Sequence, residues 1–155
     1  LVPNDIEASR NSVNTKTAEV ANTVFDFIFS GTLERFPRLK FVIVEGEIGW
    51  LPFSLQQWDY YYDRFRDRGN PISQKPSDYF YRQMYATFFN DPVGGQLLST
   101  WGQENCLWSN DYHHGNSQWP NSVEMLERNL GYLPPDVIRK LVQDNVAKLY
   151  GRPLA

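Results

Sequence analysis

The sequence predicts an α/β fold built from parallel βα units, and three observations carry that prediction. Short apolar runs rich in β-branched or aromatic residues recur at 41–44, 84–89 and 106–108, and they are too short to be helices. The longer stretches between them repeat apolar residues at helical spacing. Each run closes on glycine, proline or polar residues, the punctuation of a strand passing into a loop.

Taken in order, Ala21, Val24, Phe25, Ile28, Phe29 and Phe36 keep to one face of a helix over 17–36, with Ser30-Gly31 interrupting it and Pro37 stopping it. Residues 1–16 are expected to be a linker or irregular segment. Phe41-Val42-Ile43-Val44 reads as a strand covered on both faces. After the turn Glu45-Gly46-Glu47-Ile48-Gly49, Pro52 opens a helix with Leu51, Leu55, Trp58, Tyr62 and Phe65 on one stripe, ended by Gly69-Asn70-Pro71. Pro76-Ser77-Asp78 is expected to cap a short helix through Arg82. Met84 to Phe89 gives a second strand, closed by Asn90-Asp91-Pro92, and a helix over 93–101 leads to a third strand, Cys106-Leu107-Trp108. Asn121 and Glu124 have the spacing of a capping box for a helix that stops at Gly131, and Pro134-Pro135-Asp136 starts a last helix ending at Gly151.

The chain has 155 residues, 41% hydrophobic and 15% aromatic, enough for one domain with a real core. A net charge of -3 with scattered Lys and Arg offers no basic stripe, so nucleic acid is not an expected partner. With no long apolar run and no signal peptide, a soluble, cytoplasmic protein with no membrane partner is the expectation. Cys106 lies in an apolar strand and reads as an inert packed thiol. Glycine-rich phosphate loops, a Gly-x-Ser-x-Gly elbow and a Cys-x-x-Cys pair are all missing, which excludes several enzyme classes. Three strands cannot close a barrel of eight, which takes about 250 residues. The chain therefore reads either as part of a larger barrel, with 1–155 forming a single partial-barrel domain, or as a small open α/β domain.

In both architectures, chemistry sits just past the C-terminal ends of the strands. The loop Ser109-Asn110-Asp111-Tyr112-His113-His114 gathers a carboxylate and both histidines of the chain. Imidazole and carboxylate are ligands for zinc and similar ions, and an Asp beside a metal-bound water is a general base; the plainer reading is a capping Asp with two solvated histidines. Neighbours in an extended segment point to opposite sides, so at most one of His113 and His114 is expected to face the site. Glu45 follows a strand directly, which suits it either to proton transfer or to bonding the next helix's N-terminal amides. Glu47 reads as a solvated turn residue. Trp50 and Trp119, beside these loops, are candidates to line a pocket for a substrate.

Several strings occur together in a telling order. Asp26-Phe27-Ile28-Phe29-Ser30-Gly31-Thr32-Leu33-Glu34-Arg35-Phe36-Pro37, Leu39-Lys40-Phe41-Val42-Ile43-Val44-Glu45 and Gly49-Trp50-Leu51-Pro52 come first. Leu107 to His114, Trp119-Pro120-Asn121-Ser122 and Asp144 to Gly151 follow. This set closely resembles the amidohydrolase-related family, which includes aminocarboxymuconate-semialdehyde decarboxylase and related aromatic acid decarboxylases. The resemblance implies that the chain is the C-terminal part, about strands six to eight with their helices, of a distorted (β/α)8 TIM barrel. It implies one divalent metal, usually zinc, held by a His-x-His pair on the first strand, a histidine on the fifth and an aspartate after the eighth. Asp111 falls on that last position, as metal ligand and proton acceptor. Glu45 stands where the decarboxylases carry a catalytic histidine, and His114, Trp50 and Trp119 would face the substrate.

No His-x-His pair occurs in these residues, and the chain opens on Leu1 rather than Met, which reads as a cut or truncation. The expected protein is a metal-dependent hydrolase or decarboxylase of a small organic substrate, completed by an N-terminal half-barrel in the same or another chain. Homodimers are usual among similar proteins. The competing readings are a non-catalytic half-barrel that binds a partner through its open sheet edge, and a free-standing α/β domain that binds a small ligand.

Overall fold

A computed structural model describes the backbone of residues 3–115 and 117–152, with side chains from residue 14 onward. Helices α1 (Pro3–Phe29) and α2 (Thr32–Arg35) precede strand β1 (Phe41–Ile43), and α3 (Leu51–Phe65) and α4 (Pro76–Gln83) precede β2 (Met84–Phe88). Helix α5 (Pro92–Leu97) leads to β3 (Cys106–Trp108), after which come α6 (Ser122–Leu130), α7 (Pro135–Arg139), a π turn (Lys140–Asp144) and α8 (Asn145–Tyr150). The strands lie side by side in sequence order, all parallel, with Phe41 opposite Met84 and Ala86 opposite Cys106. The expected α/β class and parallel sheet are therefore present.

Because side chains alternate along a strand, the register sorts them into two faces. Ile43, Met84, Ala86, Phe88 and Cys106 point into the main core with Val24, Ile28, Leu51, Leu55, Tyr79 and Phe80, while Trp108 packs against it. Tyr85, Thr87 and Leu107 occupy the other face. Aromatic contacts tie the helices on: Phe27 meets Phe41 at 4.3 Å, Phe25 meets Trp58 edge-on at 5.6 Å, and Phe80 stacks on Trp101 at 5.7 Å.

Three buried amides fasten the N-terminal ends of the strands. Gln83 Nε2 donates to Phe36 O and Leu39 O ahead of β1. Asn105 Nδ2 donates to Tyr81 O and Met84 O at the start of β2, and Asn145 Nδ2 to Gln103 O and Cys106 O at the start of β3. In parallel α/β folds this end serves stability and leaves the opposite end for chemistry.

Four local expectations need correction. The irregular segment expected over 1–16 is helical from Pro3, which supplies a helix-compatible φ ahead of good helix formers such as Glu7, Ala8 and Arg10. Asn121 stands at the N-cap of α6 but its side chain makes no cap hydrogen bond, so the capping box does not form. The N-terminus of α4 is satisfied by Asp59 of α3, which accepts from Ser77 N and Ser77 Oγ at 2.9 and 2.6 Å, and not by its own Asp78. The last helix is interrupted by the π turn, which periodicity alone does not signal. The break at Ser30-Gly31 is as expected, with Gly31 left-handed at φ 71°.

Candidate metal and substrate site

The three C-terminal strand ends form one rim. An open cleft of about 470 Å³ is lined there by Val44 and Glu45 after β1, by Trp108 to Tyr112 after β3, and by Val142 from the π turn. Among the described residues, Glu45, Asp111 and His114 place one ligand atom each within 4.8 Å of one another. Asp111 Oδ2 pairs with His114 Nδ1 at 2.8 Å. Exposure is graded across the cluster: the side chains are 13% exposed at Asp111, 38% at Glu45 and 67% at His114.

Backbone geometry explains why these side chains converge. Glu45 and Asp111 both adopt left-handed φ, 55° and 54°, which turns the chain sharply as it leaves each strand. Glu45 N donates to Thr87 Oγ1 at 2.9 Å, pinning the end of β1 to β2. Asn110 organises the other loop: its Oδ1 accepts from Tyr112 N, and its carbonyl accepts from Gln118 N and Ser117 Oγ. His114 N returns to Asp111 O at 2.9 Å, closing the turn that brings the imidazole back over the carboxylate.

Of the two histidines, His114 lies in the cluster and His113 outside it. Trp50 lies elsewhere than expected. It is packed against the core, its Nε1 donates to Gly46 O at 2.8 Å, and it does not line the cleft. Trp119 is 62% exposed and touches the cleft through Tyr112, whose ring it meets edge-on at 5.6 Å. Cys106 is fully buried, and desolvation holds its thiol far above its usual range, the environment of a packed rather than a nucleophilic thiol.

Several participants escape a reading of the sequence. Lys16 of α1 places its ammonium 3.5 Å from Glu45 Oε2, within the segment expected to be irregular. Asp91 caps α5, accepting from Gly94 N at 2.7 Å, and also takes Ile48 N and Gly49 N at 2.8 and 2.6 Å, on the approach to α3. Asp91 thus does the amide-bonding job that was open to Glu45, and Glu45 is left facing the cleft. An Asp-Pro pair at a helix start is a readable cap signal; its second duty is not readable. Glu47, expected to be solvated, is half-buried and accepts from Phe89 N and Asn90 N; burial, with Asp91 adding to it, raises its carboxyl above the ordinary range.

Parallel strands with acidic and imidazole groups gathered at their C-terminal ends define an α/β protein whose site is built on strand-end loops. A profile described as amidohydrolase matches residues 2–152, and the chain belongs to that family. Among solved structures it is similar to 5-carboxyvanillate decarboxylase from Sphingomonas paucimobilis, at 30% identity and a TM-score of 0.68 over 85% of this chain and 39% of that one. An amidohydrolase from Mycobacterium avium subsp. paratuberculosis K-10 aligns at 19% identity, TM-score 0.72, over 86% of this chain and 33% of that one. A dihydroxybenzoic acid decarboxylase from Polaromonas sp. JS666, solved with bound manganese and the inhibitor 2-nitroresorcinol, aligns at 21% identity, TM-score 0.64, over 84% and 39% of the two chains. No curated protein matches. The chain thus spans between about a third and two fifths of the length of these structures.

Two carboxylates and an imidazole make a donor set that suits a divalent ion such as manganese or zinc. The cluster fits the metal that the family resemblance implies. Among the described residues no helix is long and apolar enough to cross a membrane.

Proposed function

We propose that this chain is the C-terminal part, about strands six to eight, of an amidohydrolase-family barrel that decarboxylates a small aromatic carboxylic acid with the help of one divalent metal. The observation that carries this reading is the convergence of Glu45, Asp111 and His114 at the C-terminal strand ends, within 4.8 Å of one another. The 30% identity to 5-carboxyvanillate decarboxylase supports the choice of reaction and of substrate class.

Asp111 is the candidate ligand in this reading, because it is the least exposed of the three and its backbone turn is fixed by Asn110 and His114. A bound cation would supply positive charge to hold the oxygens of an acidic substrate. His114, through Nδ1, fixes the orientation of Asp111 Oδ2. Glu45, the second carboxylate of the cluster, would share the ion with Asp111 and is placed to pass a proton taken from solvent to the ring carbon when the ring–carboxyl bond breaks and carbon dioxide leaves. Lys16, beside Glu45, is a cation within reach of an anionic substrate. Exposed Val44, at 62%, and Val142 give the cleft apolar walls for a ring. The remaining strands and metal ligands, in this reading, come from an N-terminal half-barrel.

A second reading, hydrolysis, is favoured by one feature: a carboxylate occupies the β1 end, where it could draw a proton from water. The two readings separate on substrate. The intact protein, loaded with Mn2+ or Zn2+, is expected to release carbon dioxide from 5-carboxyvanillate or a dihydroxybenzoic acid. Asp111→Ala is expected to lose the metal and at least about a hundredfold in turnover. Unchanged metal content and turnover in that variant would overturn the proposal, and cleavage of esters or amides with no release of carbon dioxide would select hydrolysis.

A further inference from the structure

The loops after β1 and β2 exchange carboxylates. Glu47, on the first, accepts from Phe89 N and Asn90 N on the second, at 3.3 and 3.5 Å. Asp91, on the second, accepts from Ile48 N and Gly49 N on the first, at 2.8 and 2.6 Å, and from Gly94 N of its own helix at 2.7 Å. Five backbone amides therefore satisfy two carboxylates, and among the described residues no cation is bonded to either. The fit is close enough to dictate neighbours: a Cβ at Gly49 would meet Asp91 Oδ1 at 3.0 Å, and one at Gly94 would meet Asp91 Oδ2 at 2.6 Å.

Between β1 and this exchange lie only Val44, Glu45 and Gly46. Glu45 is thus held from both sides, by Thr87 through its own amide and by the crossed carboxylates through the turn that follows. Its left-handed φ is matched by Glu47 at 52°, a paired departure that an untethered loop would relax. Two half-buried carboxylates are a costly way to close a turn, since amides at a loop surface can bond water instead.

We propose that Glu47 and Asp91 form a reciprocal clasp that sets the place of the Glu45 carboxylate in the cleft. They are positioning residues that act through Glu45, and the inference rests on the site proposed above. The test uses the intact protein and Mn2+ alone, titrated into wild type, Asp91→Asn, Glu45→Gln and the double variant. Asp91→Asn is expected to weaken Mn2+ binding about tenfold, a usual loss when a group supporting a metal site is altered. In the Glu45→Gln background it should cost little more, and the electron spin resonance spectrum of bound Mn2+ in Asp91→Asn should resemble that of Glu45→Gln. Equal losses in both backgrounds, or a spectrum identical to wild type, would overturn the clasp. The same cycle with Glu47→Gln, which keeps one acceptor oxygen, serves if Asp91→Asn fails to fold. If Glu45→Gln alone leaves Mn2+ affinity unchanged, the reading of Glu45 fails first, and the clasp with it.

Discussion

At the scale of single residues, the site rests on backbone positions that ordinary side chains avoid. A non-glycine residue held left-handed costs about 1–2 kcal/mol, and both Glu45 and Asp111 bear that cost. Substituting Glu45→Gly should therefore keep or raise the thermal stability of the intact protein while weakening its metal affinity. Glu45→Val, branched at Cβ, should lose about 1–2 kcal/mol in addition to the carboxylate. Parallel falls in stability for both variants would contradict this. Cys106 offers a separate check, because a thiol buried in the core and held protonated should resist iodoacetamide in the native protein near pH 8 and react on unfolding. The sequence singles out Glu45 because it directly follows an apolar strand, and Asp111 because it sits with both histidines in the loop after another; position after a strand is a physical rule. Trp50 also lies beside such a loop, but adjacency in sequence does not reveal that its indole N–H is taken by Gly46 O.

At the scale of elements, the ends of the strands divide the work. Asn145 satisfies two carbonyls at the start of β3, and Asn145→Ala should cost about 2–4 kcal/mol, measured by chemical unfolding, because both acceptors lose their partner. On the surface, Lys75 first, with Arg66 adding to it, holds the Asp63 carboxyl below its ordinary range. A carboxyl depressed in the folded state contributes stability that is present above the ordinary carboxylate pKa and lost as pH falls through the lower, folded value. Asp63→Asn should accordingly make the loss of stability below about pH 4 slightly shallower. An unaltered acid limb would show that this exposed pair contributes nothing. Strands and most helices were legible from the alternation of apolar runs and helical periods, and Ser30-Gly31 and Gly151 marked their stops. The π turn, Asp59 acting for α4 and the clasp between loops were not, since each is made by residues distant in the chain or by hydrogen bonds that leave no periodic trace.

At the scale of the whole molecule, a three-stranded parallel sheet carries its main core on one face, buries Tyr85 and Leu107 on the other, and leaves Val44 exposed at the rim of the cleft, beside Val142. Parallel sheets are characteristically covered on both faces, as Tyr85 and Leu107 are here; in the proposed reading a larger barrel would cover the open rim at Val44. In that reading the same barrel would also complete the ligand set around Asp111. The central claim is that the ends of β1 and β3 hold a divalent ion beside Glu45. Its most direct test is an anomalous difference map, at the manganese edge, from crystals of the intact protein grown with Mn2+. A peak at bonding distance from an Asp111 carboxylate oxygen, in the cleft shared with Glu45, is the predicted result. A fully ordered cleft with no peak, or a peak bound by residues that exclude Asp111, would contradict it.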